Sequence, residues 1–523
     1  MSDATITFAV LLAIVALFIW GRFPVELVAV ASALVLVATG VLTIDQGLAG
    51  FGDQVVIFIA ALFVVSEGLD SSGVTAWAGQ LLIDRAGSSR NRLVVLMMMM
   101  VAVLTAFVTV NAAVAALLPV VIVIAVRLGI PASKLLIPLC FGSHAGSQLA
   151  LTGSNVNLLV SNALLDATGS PFGFFEFALV GVPLTIGTIA VVTLLGDRLL
   201  PVRTPRTVSQ DLSDHARTLA QSYGLPSDPA TRGPIGRYEG LIEIVIPPRS
   251  PFLGEHVVKG MRTEDGHLVV DAIQRGGRDI GDREVELQVG DALVLSGPWD
   301  ALDARADDPG FLVVHQPDAV RRQAVPLGPK AFEAVAVLIG MIVLLVSGIV
   351  PPAVAGLLAA GALIVLRVVG MEQAYRSITW TTVVLVAGML PLSTAMIESG
   401  AADQIADSLI GVVGGMGPTG LLIGLFVVTA VFGQLISNTA TALIMIPIAI
   451  SATGDLGVDA RPVLMSLNVA AAAALLTPVA TPVNLIAMGA AGYRFGDYWR
   501  LGLATMVVFF VVAVFLVPVF WPF

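Results

Sequence analysis

Stretches of predominantly apolar residues recur along this chain at the length of a membrane crossing, for example Ile6 to Trp20, Val25 to Leu42, Phe174 to Val192 and Leu501 to Phe520. An α-helix needs about 20 such residues to cross roughly 30 Å of hydrocarbon. With 57% hydrophobic and only 12% charged residues and a mean hydropathy of +0.93, no soluble fold could hide so much apolar surface, since soluble domains carry about 25% charge. The first span has no basic segment before it and many spans after it, so it reads as a crossing rather than a cleaved leader. Cys140 is the only cysteine, which excludes an intramolecular disulfide. The net charge of −10 argues against a nucleic-acid partner.

Related residues recur at one constant offset in the numbering. Gly21 and Pro24 return as Gly348 and Pro351, Asp45-Gln46 as Glu372-Gln373, and Ser72-Gly73 as Ser399-Gly400. Asn157-Leu158 returns as Asn484-Leu485 at that same offset, and Pro119 returns as Pro447 with a slip of a single position. This register predicts two related membrane halves, 1–197 and 331–523. Between them, 198–330 holds 16 of the 27 Lys and Arg residues and has soluble character. Within it a helix is expected at Asp211 to Tyr223, a linker at Pro226 to Pro234, and a compact part over 236–305. That part has strand-like runs at Leu241 to Ile246, Leu268 to Ile273 and Ala292 to Leu295.

Five crossings plus one re-entrant hairpin per half, an odd count, would invert the second half. With both termini outside, Arg22, Arg85, Arg90, Arg92, Arg127, Lys134, Arg367, Arg376, Arg494 and Arg500 fall on the cytoplasmic side with the insert, and only Arg461 falls outside. The outer loops collect Asp45, Asp53, Asp166, Asp403, Asp455 and Asp459. The expected fold is thus an α-helical polytopic membrane protein of two inverted repeats, in a cell membrane, with a cytoplasmic insert.

In lipid, irregular backbone is tolerated only where protein or a watery cavity surrounds it, so polar interruptions of apolar spans mark a transport site. There are four: Thr109-Val110-Asn111, Thr152-Gly153-Ser154-Asn155-Val156-Asn157, Ser437-Asn438-Thr439-Ala440-Thr441, and Thr477 to Asn484. Hydroxyls and carboxamides at helix breaks suit an anion, and freed carbonyls suit sodium; such residues also serve as packing contacts between helices. Their occurrence at matching places in both halves favours the site.

Ser437-Asn438-Thr439 followed by Ala440-Thr441, and Thr481-Pro482-Val483-Asn484, resemble the signature motifs of the divalent anion/sodium symporter family, solute carrier family 13. The resemblance implies a citrate-transporter-like fold with two re-entrant hairpins, a site between their tips, sodium coupling to di- or tricarboxylates or sulfate, rigid-body alternating access, and a homodimer. It places substrate contacts at Ser437, Asn438, Thr439, Thr481, Pro482 and Asn484, and by correspondence at Thr109, Asn111, Ser154 and Asn157. It places a cation at Ser437, Asn438 and Ala480, and by correspondence at Thr109 and Gly153. The first half departs from the pattern, with Val110 where the family has an amide. His144, with Ser143, Ser147 and Gln148, lies in the span leading to that site; it could couple transport to protons or stand as a neutral, hydrogen-bonded group. Glu67 and Asp70 read as interfacial.

In the insert, Glu243 to Ile246, Pro251 to His256, Ala272 to Gly276 and Gly290 to Gly297 resemble a TrkA C-terminal (RCK-C) domain, a small α/β module that is often dimeric and sometimes senses a ligand such as a small nucleotide. The Gly290-Asp291 pair reads as a turn feeding a buried strand. His256, Glu264, Asp265 and His267 are spaced as a solvated loop rather than a metal site.

A secondary transporter of a small divalent anion is the leading expectation, with no cofactor beyond sodium as coupling ion. A cation/proton antiporter would need a buried carboxylate in the breaks, and a membrane-anchored ligand sensor would bind without transport. No catalytic constellation, P-loop or dinucleotide fingerprint is present, so an enzyme is not expected.

Overall fold

The computed structural model describes residues 2–523 except 76, 78–80, 82–89, 128–129, 204–238, 264–265, 277, 281–282, 299–300, 303–304, 306–307, 309, 314–327, 329, 414–416 and 479. Arg85, Glu264, Asp265, the helix expected at Asp211 to Tyr223 and the linker Pro226 to Pro234 lie outside the described residues. The chain divides into two compact units, one of Met1–Asp70, Leu81–Val208 and Glu333–Phe523, the other of Ser71–Gln80 and Ser209–Phe332.

The first unit is helical. It runs α1 Asp3–Trp20, α2 Val25–Ala38, α3 Ile44–Leu48, α4 Gln54–Ser71, α5 Arg90–Phe107, α6 Val110–Arg127, α7 Leu136–Gly146, α8 Asn155–Thr168 and α9 Ala178–Leu199. After the insert come α10 Ala331–Ser347, α11 Pro352–Val365, α12 Met371–Ser377, α13 Trp380–Glu398, α14 Ala401–Val413, α15 Gly417–Leu435, α16 Asn438–Leu456, α17 Ala460–Ala472, α18 Pro482–Ala491 and α19 Trp499–Val511. Among the described residues eight helices are long and apolar enough to cross a membrane, and the described protein is a multi-pass membrane protein.

Helix boundaries follow local chemistry. Ser2 caps α1 by accepting from the Thr5 amide, and Gly21 closes it at φ 64°, a left-handed value that suits glycine. Pro352 opens α11 where its missing N–H costs nothing. The span expected from Phe174 starts later, at Ala178, because the Gly173 amide donates to Glu176 Oε2 (2.7 Å) and holds a turn before the helix.

Element starts recur at the register read from the sequence. Val25 and Pro352, Ile44 and Met371, and Asn155 and Pro482 are pairs of helix starts at the same offset, and Val110 and Asn438 pair with the single-position slip already seen at Pro119 and Pro447. The capping-box glutamines of the two short helices reach across in reciprocal fashion. Gln46 Nε2 donates to Glu398 (2.8 Å), and Gln373 Nε2 donates to Glu67 (2.7 Å). Glu67 is therefore held by a partner from the other half of the chain.

Burial separates outer from inner helices. Only 33% of the spanning window is buried in α1, against 67% in α16, and Leu12 and Ile19 of α1 and Leu194 of α9 project outward, as side chains that meet lipid tails should. Helices α7 and α17 are shorter than a crossing and almost wholly buried. Small residues let the outer helices touch the backbone beside them. A Cβ at Gly181 of α9 would collide with Gln148, and one at Gly502 of α19 would collide with Leu475.

The second unit holds a five-stranded sheet in the order β4-β3-β6-β1-β7, from β1 Glu239–Val245, β3 Val269–Arg275, β4 Arg278–Asp279, β6 Ala292–Pro298 and β7 Leu312–Val313; β2 His256–Val257 pairs separately with β5 Val285–Glu286. The described strand pairs are antiparallel, with Ile242 opposite Leu295 and Ile244 opposite Leu293. These side chains, Ile273 and Leu302 form its core. Gly290 turns at φ 86° and Asp291 follows, fully buried, accepting from Arg275 Nε and Nη2 (2.7 Å each) and from the Gln288 amide (2.8 Å).

Candidate functional site

The four polar interruptions are helix starts. Helices α5 and α6 pack on each other around the break at Val108-Thr109, as α15 and α16 do around Ile436-Ser437. Between α7 and α8, and between α17 and α18, the described residues of 147–154 and 473–481 run without α-helix. All four starts, Thr109 to Asn111, Ser154 to Val156, Ser437 to Ala440 and Thr481 to Val483, line one cavity of about 540 Å³.

The local chemistry that opens these breaks is specific. Pro482 occupies the first turn of α18 and cannot continue a helix from before it. Asn484 Nδ2 donates to the carbonyls of Ala474 (3.0 Å) and Thr477 (3.2 Å), and Asn157 Nδ2 donates to those of Ser147 and Ala150 (2.8 Å each). Donors and acceptors alike repeat at the offset of the two halves. Each carboxamide satisfies two carbonyls that unwinding would otherwise leave bare. Ser437 Oγ accepts from the Ala440 amide (3.2 Å) and Ser154 Oγ from the Val156 amide (3.2 Å), capping α16 and α8. The Thr109 amide donates to Ser66 Oγ (3.3 Å).

Of the residues expected at the site, Thr109, Asn111, Gly153, Ser154, Ser437, Asn438, Thr439, Ala480, Thr481, Pro482 and His144 line the cavity. Asn157 and Asn484 do not; both are fully buried behind it, with their amide groups committed to the break carbonyls. Ser143 is also behind it, donating to the Cys140 carbonyl (2.7 Å). Gln148 joins the two broken helices, its Oε1 accepting from Asn468 Nδ2 (2.7 Å) and its Nε2 donating to Asn157 Oδ1 (3.3 Å). His144, buried, lies 3.3 Å through Nε2 from the Thr481 hydroxyl, a contact between the two halves.

Three polar lining residues went unrecognised in the sequence: Thr379, Thr381 and Thr382, at the start of α13. Their signal is a threonine cluster just ahead of an apolar span, a pattern that also suits ordinary helix capping.

Among the described residues, no lining residue is Lys, Arg, Asp or Glu, and the one histidine that lines the cavity is His144. Positive potential comes instead from the four helix starts that line it, each worth about half an elementary charge. Hydroxyls and the Asn111 and Asn438 carboxamides add adaptable donors. Such a cavity favours a small anion, and it lacks the fixed charge that would hold a cation alone.

The family described as Citrate transporter matches residues 15–467 and 410–523. The chain belongs to the citrate transporter family. Among similar proteins, Uncharacterized transporter YfbS of Escherichia coli (strain K12) is 30% identical over 97% of this chain and 98% of its own length. Uncharacterized transporter sll0640 of Synechocystis is 26% identical over 96% of this chain and 95% of its own. Sodium/sulfate cotransporter 1 of Chlamydomonas reinhardtii is 25% identical over 53% of this chain and 32% of its own length. In fold, the chain resembles the crystal structure of the Alcanivorax borkumensis YdaH transporter, with a TM-score of 0.50 at 14% identity, covering 97% of this chain and 99% of that one. The family membership carries the general expectation of a membrane anion transporter; the motif residues Ser437, Asn438, Thr439, Ala440, Thr481, Pro482 and Val483 of this citrate transporter family member line the cavity.

Proposed function

We propose that this protein is a secondary active transporter that moves a small divalent anion, a di- or tricarboxylate or sulfate, together with sodium by alternating access. The observation that carries the reading is the convergence of four helix starts on one cavity without charged side chains among its described lining. A divalent anion there gains from the helix starts but meets no charged side chain among the described lining residues, and a co-bound cation supplies further positive charge. The Ser437-Asn438-Thr439 tip with Ala480, and Thr109 with Gly153, offer hydroxyl, carboxamide and backbone oxygens for sodium. A relative named as a sodium/sulfate cotransporter supports this choice. His144 then acts as a neutral positioning group for Thr481 rather than as a proton carrier.

The reading includes two halves of inverted orientation, supported by the constant-offset recurrence of helix starts and by the reciprocal Gln46–Glu398 and Gln373–Glu67 bonds. It includes a cytoplasmic insert, an RCK-C-like module that tunes transport and binds a small nucleotide or similar ligand, and assembly as a homodimer. Both termini are extracytoplasmic in this reading.

A thermal-shift screen of the purified protein tests it. Sulfate, succinate and citrate are presented with sodium and with choline in its place, at two pH values. One of these anions should raise the melting temperature only when sodium is present. Equal stabilisation in choline, with a dependence on pH instead, would replace sodium by protons.

A further inference from the structure

The cavity has one wall that the breaks do not supply. Thr379, Thr381 and Thr382 line it from the first turn of α13. Thr379 stands at the N-cap position, yet its hydroxyl makes no capping bond, which leaves it for other use. The wall has no counterpart in the described first half. The corresponding positions there, by the offset between the halves, are Gly52, Gln54 and Val55, which carry no hydroxyl and are not part of the cavity lining.

Helix α13 is fixed to α2. A Cβ at Gly388 would approach the Ala29 carbonyl carbon at 2.8 Å and the Val30 nitrogen at 2.9 Å, so the two backbones are in close contact. Two more lining residues, Phe18 at the end of α1 and Val25 at the start of α2, complete this side. They flank the turn that carries Arg22, and Thr379 follows the segment that carries Arg367 and Arg376. Positive residues concentrate on the cytoplasmic face of membrane proteins, so this wall belongs to the cytoplasmic end of the cavity.

We infer that Thr379, Thr381 and Thr382 are specificity-determining substrate contacts that operate only while the site faces the cytoplasm, the arrangement this structure holds. Their hydroxyls complete the shell of an anion whose other side is held by the helix starts. When the broken helices carry the anion toward the other face, the α13 wall stays with α2 and the contact is lost. The inference rests on the transport reading above.

The test uses the full chain in oriented vesicles, with sulfate, succinate and citrate as probes. A T379V/T381V/T382V variant should raise the KM of the transported anion about tenfold or more at the cytoplasmic face, the effect of losing one or two hydrogen bonds, and leave the external KM unchanged. Serine at the three positions should restore it. An unchanged cytoplasmic KM, or an equal rise at both faces, would overturn the inference and leave the transport reading standing. A second arm does not depend on turnover. Cys140 is buried and provides a silent background, so T381C should react with a membrane-impermeant maleimide from the cytoplasmic face and be protected by the transported anion. Labelling from the external face alone would overturn it. A wild-type chain that moves none of the three anions would bring down the transport reading and this inference with it.

Discussion

Asn157 and Asn484 occupy equivalent places in the two halves and make the same two bonds, each donating its carboxamide N–H groups to carbonyls seven and ten residues before it. In each half, one side chain closes the unwound segment that faces the cavity. The side chain is an element of the scaffold, and the helix start that follows it is the element of the site.

This division predicts opposite consequences for the two scaffold asparagines and for Asn438. Asn484→Ala and Asn157→Ala each strip the partner from two carbonyls in a water-poor place, at about 1–3 kcal/mol for each group left bare. Both variants should lose thermal stability and transport together, as seen by melting the detergent-solubilised protein beside an uptake assay. Asn438→Ala should lose uptake with melting close to wild type, since Asn438 Oδ1 has no hydrogen-bond partner among the described residues. A destabilised N438A with a stable N484A would reverse the assignment.

His144 provides a second test. Glutamine can keep a hydrogen bond to Thr481 but cannot titrate. If His144 is a positioning group, H144Q retains sodium-driven uptake with the wild-type pH profile, whereas H144A weakens substrate binding by about tenfold through the orphaned Thr481 hydroxyl. Sulfate is the useful probe, because its charge is constant near neutral pH. A flattened pH profile in H144Q would make the histidine the proton carrier.

The insert has its own acid-sensitive lock. Burial works to raise the pKa of Asp291, but the bonds from Arg275 and the Gln288 amide, with the Arg275 charge, together hold it below the usual carboxylate range. A depressed folded value gives stability that is complete above the unfolded carboxylate pKa of about 3.9 and is lost as the pH falls through the folded value. Hydrogen exchange of the β1 and β6 amides in the full chain should therefore accelerate, after correction for intrinsic rates, only below about pH 4. Asp291→Asn should show faster exchange at neutral pH and no further acid step. A D291N chain that kept the acid step would place the titrating group elsewhere.

Close packing supplies a fourth prediction. A side chain at Gly502 would strike the Leu475 backbone in the second break, and one at Gly181 would strike Gln148 in the first. Gly502→Val and Gly181→Val should each lower stability by about 1–3 kcal/mol, the usual range for overpacking, and impair uptake. Melting curves of the two variants in detergent give the comparison; wild-type melting in both would show that the outer helices are free to stand off.

Much of this was legible in the sequence because lipid makes polar residues conspicuous. The four interruptions at Thr109, Thr152, Ser437 and Thr477 stand out from apolar spans, and each proved to open a helix at the cavity. Asn157 and Asn484 were less readable: a carboxamide in such a segment serves a ligand or a bare carbonyl equally well, and only the bond geometry shows which. The Thr379 to Thr382 wall escaped because it comes from a helix far away in sequence whose own span is unbroken up to Glu398. The late start of α9 escaped because Glu176 holds a turn inside an apolar run.

Uptake into proteoliposomes measures the central claim most directly. Wild-type protein and N438A are reconstituted at equal density, and sulfate, succinate and citrate are offered in turn under an inward sodium gradient or an equal potassium gradient. The account predicts sodium-dependent accumulation of one of these anions by the wild type and none by N438A. Folded wild-type protein that accumulates none of them, or that accumulates one equally well in N438A, would contradict it.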